Sequence, residues 1–217
     1  MDLSQLKILI DRYQEWKEKP LPPLARKNGM HQEDERPGLT ASEVVILRKF
    51  LFSCNCALRI SDLQKLEESH FVNGEMSIKP HKTERYGTNI KSVPLNDIAL
   101  MLLGDEIDYV EAQQSDNPYH RIQRFTAGVK LRIFETYVDQ SCNKYLKRIA
   151  TKCEIKVNLH MHVARYTFGS LMDQAGANHT ALMKMMGIKK RDTLEKYVKT
   201  NKKRIIEDVK KFNDFIK

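Results

Sequence analysis

Residues 159–200 read LHMHVARYTFGSLMDQAGANHTALMKMMGIKKRDTLEKYVKT. The stretch sets His162 and Arg165 one helical turn apart and closes on Tyr197 among lysines. An imidazole moves a proton near neutral pH, a guanidinium grips two phosphate oxygens at once, and a phenol is a competent nucleophile. Together these groups can hold a phosphodiester and attack it. Singly, each has a plainer reading: a packed, hydrogen-bonded histidine for His162, an interfacial aromatic for Tyr197. The pattern therefore needs partners from elsewhere in the chain.

The same stretch dictates its own local structure. The run from Val163 to Ala175 predicts a helix closed by Gly176, and Asn178 stands as N-cap of a second helix ending at Gly187. A basic turn, Lys189-Lys190-Arg191, leads to a short helix bearing Tyr197. Further on, Ile205, Ile206, Val209, Phe212 and Ile216 form one stripe of a C-terminal helix over 203–217, docked at home or on a neighbouring subunit. Upstream, Val138–Cys153 is a helix buried through Cys142, Tyr145, Leu146 and Ile149. Ser115–Gly128 is an irregular surface loop, and Asp97–Ala112 is helical, with Ile98, Leu102, Ile107 and Val110 on its apolar side.

Between His70 and Leu95 the period shortens to two. Met76 and Ile78, then Ile90 and Val93, predict strands around a turn near Tyr86-Gly87-Thr88, carrying Lys79, Lys82, Arg85 and Lys91. A basic β-ribbon is one way to reach DNA, although charged hairpin faces are more often simply solvated. Ahead of it, CNCALRISDLQKL places Arg59 where one helix ends and another, opened near Ser61, begins. A guanidinium there projects toward a cleft beside backbone N–H groups that favour phosphate. Asp62, one turn on, is placed to hold it by a charge-assisted hydrogen bond; alone, the two would be an exposed ion pair of little worth.

Thr40-x-x-Glu43 is a capping box opening the apolar run Val44–Phe52, and it sets a domain boundary between 1–38 and 39–217. The first part holds a helix with Leu6, Leu9, Ile10, Tyr13 and Trp16 at helical spacing, then a proline- and glycine-punctuated linker. With 217 residues and 41% hydrophobic content the chain can bury one substantial core. A formal charge of +9 favours a polyanionic partner. No run approaches the roughly 18 apolar residues of a membrane span. Cys54, Cys56, Cys142 and Cys153 lack paired C-x-x-C spacing and read as reduced, buried thiols of a cytoplasmic protein. His160 and His162 alternate without cysteine or carboxylate support, so no metal site is expected.

Taken in order, several pieces line up: Arg59 in ALRISDL, Lys82-Thr83 ahead of a turn and a V-P-L strand, His162-x-x-Arg165-Tyr-Thr-Phe, a glycine, then Tyr197. Over about Leu39 to Thr200 this order resembles the catalytic domain of the tyrosine recombinases, the phage-integrase family, and especially integrases of mobile elements. The resemblance implies a mainly α fold with a small antiparallel β-sheet or hairpin. It implies a site-specific recombinase that cleaves and rejoins DNA through a 3′-phosphotyrosyl intermediate, without metal or nucleotide cofactor. Tyr197 would be the nucleophile, Arg59 and Arg165 the phosphate clamp, His162 a general base or phosphate donor, and Lys82 the general acid for the departing 5′-oxygen. A phenol is almost wholly neutral at pH 7, so its proton must be taken as it attacks.

Lys79, Arg85, Lys91, Lys189, Lys190 and Arg191 would contact the DNA backbone, with Asp62 in support. The implied partner is double-stranded DNA, bound as a homotetramer on two duplexes and as a monomer when free. Two departures stand out. The family's usual histidine or tryptophan after the M-G turn is Ile188 here, which has no donor for phosphate. The family's N-terminal DNA-clamping helical domain is represented by only 38 residues before Leu39, as a fragment or a short form would leave it. Two rival readings follow from the same residues. One is a non-catalytic regulator, because His179 to Tyr197 with Gly187 at the turn mimics a helix-turn-helix. The other is a DNA-relaxing enzyme like the type IB topoisomerases.

Overall fold

The computed structural model describes residues 1–22, 36–72, 75–79, 91–104, 133–134 and 137–198, together with 210 and 214. It is mainly helical with a small antiparallel sheet. Helix α1 (Leu3–Trp16) opens on a capping box in which Asp2 accepts from the Gln5 amide. Helix α2 (Ala41–Cys56) opens on the expected box: Glu43 Oε2 accepts from the Thr40 amide at 2.8 Å. The same carboxylate takes a 2.9 Å bond from Lys152 Nζ, which also donates to the Gly38 carbonyl at 2.9 Å. Both partners of that ion pair are buried, so the start of α2 is tied to helix α5 (Asp139–Lys152).

Almost every side chain of α2 is buried, from Val44 to Cys56, because α2 packs against α1, α4 (Asp97–Gly104), α5 and α6 (Met161–Gln174). A helix enclosed on all sides has no solvent face to keep polar. The main core is therefore built around α2, with Leu9, Tyr13, Phe50, Phe52, Phe134, Leu146 and Ile149 filling it. The cysteines Cys54, Cys56, Cys142 and Cys153 are all free and buried within this core.

Strands β1 (Phe71–Val72), β2 (Glu75–Ile78) and β3 (Lys91–Pro94) make one sheet in that order, all pairs antiparallel. Met76 faces Val93 and Ile78 faces Lys91. The turn expected near Tyr86 lies outside the described residues, as do Ile90, the loop 115–128 and most of the helix expected over 203–217. The helix begun at Asp97 is described as far as Gly104.

A second, smaller core sits beyond α6. Helix α7 (His179–Met186) is N-capped by Asn178, whose side chain accepts from the Thr180 and Ala181 amides, and it ends on Gly187 at φ 63°. Gly176 closes α6 at φ 86°, in the left-handed region as expected. Helix α8 (Arg191–Glu195) follows the basic turn. Tyr197 stands in the turn after α8 rather than within the helix, its amide donating to the Leu194 carbonyl at 2.7 Å. Ala57, Phe168, Leu182, Met186, Ile188, Leu194 and Val198 make this second cluster.

Candidate active site

The site forms where the end of α2 meets α6 and the second core. Ala57, the residue after α2, takes the left-handed conformation at φ 54°, ψ 31° and turns the chain sharply. Three successive carbonyls then point away from the helix, and each accepts from a side chain. Lys91 Nζ donates to Cys56 O at 2.7 Å, Arg165 Nη1 donates to Ala57 O, and Ser53 Oγ donates to Leu58 O at 2.6 Å. Two buried cations at a helix C-terminus also suit the negative end of its dipole.

The turn delivers Arg59. Its own backbone caps α3 (Ile60–Leu63), its carbonyl accepting from the Asp62 and Leu63 amides, so the helix begins at Ile60, next to the expected Ser61. The Arg59 side chain is partly exposed and Asp62 is buried. Their closest approach is 3.9 Å, an ion-pair distance longer than a direct hydrogen bond. Asp62 therefore biases the guanidinium electrostatically rather than gripping it.

Arg165 is almost fully enclosed, at 1% exposure. Besides Ala57 O it donates from Nη2 to Met186 O at 2.9 Å, so one guanidinium joins the end of α2 to the end of α7. Its Nε is buried and meets no acceptor among the described residues. Burial and the neighbouring Arg59 charge lower its pKa, and Tyr197 offsets them. The Arg165 Cζ lies 5.8 Å from the Tyr197 ring centroid.

His162, one turn before Arg165, is exposed on α6. Partial burial, then the charges of Arg165, His160 and Arg59, lower its pKa, which favours the neutral imidazole a base must be. Its ring centre is 6.3 Å from that of Tyr197. Tyr166, part of the quoted motif but given no role there, lies 4.6 Å from Tyr197 and 5.1 Å from His162, centre to centre. Its place in the sequence, four residues after His162, was signal enough to put both on one helical face.

The remaining expectations divide. Lys79, Lys189, Lys190 and Arg191 are exposed, as backbone contacts require. Lys91 is not: it is 2% exposed and its ammonium faces inward. Burial brings its pKa down to about 7, with Arg165 and Arg59 adding to the fall and Cys56 and Asp62 opposing it. Lys82 and Arg85 lie outside the described residues. Ile188 is 8% exposed and packs in the second core beside Met186 and Leu194. It fills space there. Helix α8 has five residues and buries Leu194, which leaves little for a groove-reading helix and counts against the helix-turn-helix reading. Among the described residues there is no cluster of three metal-ligating side chains, and no helix is long and apolar enough to cross a membrane.

Residues 40–204, which include all the elements that build this site, match the model of the phage integrase family. The chain belongs to the phage integrase family. Solved recombinases share the fold. The XerA recombinase superposes with a TM-score of 0.59 at 14% identity, over 98% of this chain and 64% of that one. The XerH site-specific recombinase, bound to palindromic difH substrate in a post-cleavage complex, gives 0.57 at 13%, over 96% and 51%. The Tn1549 transposon integrase, in complex with a circular intermediate DNA, gives 0.56 at 12%, over 89% and 67%. At such identities the likeness is one of fold. This integrase-family chain thus spans 51–67% of the length of those three solved chains. No curated protein matches it in sequence.

Proposed function

We propose that this chain is the catalytic part of a site-specific DNA recombinase, one that cuts a strand by attack of Tyr197 on the scissile phosphate and later reverses the step. The observation that carries the reading is the convergence of Tyr197, His162 and Arg165 on one face of α6, with Arg59 delivered beside them by the turn at Ala57. The Tyr197 oxygen bonds to phosphorus as the 5′-oxygen leaves, giving a 3′-phosphotyrosyl link and a free 5′-hydroxyl. The phenol proton passes to His162, whose environment keeps it neutral. Lys82 protonates the departing oxygen.

Negative charge builds on the non-bridging oxygens during attack, and fixed donors aimed at it supply the largest catalytic effect. Arg59 offers a partly exposed guanidinium beside Asp62, while Arg165 offers one already anchored by two carbonyls. A guanidinium has five N–H donors, so two bonds to carbonyls leave others for phosphate. Exposed Lys79, Lys189, Lys190 and Arg191 supply backbone contacts whose affinity falls as salt rises. The partner is duplex DNA, and the working assembly is a homotetramer on two duplexes, formed from monomers that meet on DNA.

A nicked duplex that loses its 5′ fragment after cleavage tests this directly. Incubation should give a denaturation-resistant protein–DNA band that disappears in Tyr197→Phe, with folding and DNA affinity nearly unchanged. A wild-type chain that yields no such band, or a phenylalanine variant that still does, overturns the proposal.

A further inference from the structure

Helix α6 presents four residues to Tyr197 at positions i, i+3, i+4 and i+7: His162, Arg165, Tyr166 and Gly169. Gly169 governs how near the backbone of Tyr197 can come. A Cβ placed on it would sit 2.9 Å from the Tyr197 Cβ, closer than real contacts allow. That approach fixes the base of the tyrosine side chain; the ring beyond it rests against the second core and lies near the Arg165 guanidinium, and its remaining face is open to Tyr166. Tyr197 stands in a turn, outside the regular part of α8, so its ring is oriented by side chains of other elements rather than by its own helix.

Tyr166 is one of only four large apolar side chains exposed among the described residues, at 38%. It fills no core. Its ring lies 4.6 Å from that of Tyr197 with 34° between their planes, a tilted pair within the range of aromatic contact. It also meets His162 edge-on, at 5.1 Å and 84°. Two rings with assigned chemistry thus lean on a third that has none.

We infer that Tyr166 is a positioning residue for the nucleophile, a ring shelf that holds Tyr197 over Arg165 and holds His162 beside it. The inference rests on the recombinase reading of Tyr197. The shelf works through ring-to-ring contact, so the hydroxyl of Tyr166 is dispensable and the ring is not. Without the ring, Tyr197 keeps its backbone place against Gly169 while its phenol samples other directions. Attack slows because fewer molecules hold the productive geometry.

Three variants separate ring from hydroxyl and from bulk: Tyr166→Phe, Tyr166→Leu and Tyr166→Ala, each checked for an unchanged melting curve. Single-turnover adduct formation on the nicked duplex should stay within about twofold for Tyr166→Phe. It should fall about tenfold for Tyr166→Leu and Tyr166→Ala, the size expected for losing one aromatic pair, with DNA affinity unmoved. An independent measurement needs no activity: mild nitration with tetranitromethane, mapped by mass spectrometry. Tyr166 and Tyr197 fall on different tryptic peptides. Nitration of Tyr197 should rise severalfold in Tyr166→Ala and Tyr166→Leu and stay at the wild-type level in Tyr166→Phe. Equal nitration in all four proteins overturns the shelf, as does a Tyr166→Ala variant as fast as wild type, or a Tyr166→Phe variant as slow as Tyr166→Ala. A wild type that forms no adduct sinks the recombinase reading, and the nitration result then decides the shelf by itself.

Discussion

The two hydrophobic clusters differ in what they hold and in how firmly they hold it. The main core wraps α2 and is sealed by buried polar ties such as Lys152 to Glu43 and Arg48 Nε to the Leu102 carbonyl at 2.6 Å. The second core is a handful of side chains from Ala57, α6, α7, α8 and the turns beside α8, with Tyr197 packed against it. Arg59 hangs from the first, Tyr197 from the second, and Arg165 is bonded to the ends of both α2 and α7. One guanidinium therefore couples the tyrosine segment to the end of α2, so the two cores are tied at Arg165.

The harshest way to break this division is to remove its bridge. Arg165→Ala should lower single-turnover cleavage by about 10²–10³, the usual effect of losing one donor to developing charge. It should also lower the melting temperature clearly, because two buried carbonyls lose their donor. Arg59→Ala sharpens the contrast. The rate should fall by a similar factor, yet stability should change by less than about 1 kcal/mol, since the side chain is partly exposed and its ion pair is long. If both variants melt alike, Arg165 is not the tie between the cores.

The third change probes the lighter core alone. Ile188→Ala leaves a void beside Met186 and Leu194 and should cost about 2–4 kcal/mol. Hydrogen exchange should localise the loosening to α7 and α8 and spare α2. Ile188→His, which would restore a donor type common in the family, should be slower than wild type, because the position is 8% exposed and an imidazole there must be buried.

The smallest effect concerns Lys91. Its folded pKa of about 7 lies below the ordinary value of 10.5, so between those limits the unfolded chain binds more protons than the folded one. Stability from this group then rises with pH over that window, and the burial penalty is complete below about pH 7. Denaturation of wild type and Lys91→Met, compared from pH 6 to 9, should show the difference moving in favour of wild type as pH rises. A difference that is flat with pH would mean that the lysine is paired and charged throughout.

Much of this was legible in the sequence because the motif residues announce their types and spacings. His162 and Arg165 share a helix face by period alone, and the caps at Thr40, Asn178 and Gly187 follow from local chemistry. Lys91 shows where such reading fails. Val93 and Leu95 point inward, and strand alternation puts Lys91 on the same face, yet a lysine on a hairpin is ordinarily assigned to solvent. What overrode that default was tertiary: the open carbonyl of Cys56, 35 residues earlier in the chain. The 3.9 Å separation of Arg59 and Asp62, and the docking of Tyr166 against a ring 31 positions later, are likewise set by packing that no local pattern encodes.

The left-handed turn at Ala57 bears on how the protein is made. An alanine in that conformation costs roughly 1–2 kcal/mol, and the carbonyls around it are held by Lys91 and Arg165. Arg165 follows Ala57 by 108 residues. At translation speeds of roughly 5–20 residues per second, a nascent chain waits on the order of 5–20 s between making the kink and making the guanidinium that secures it.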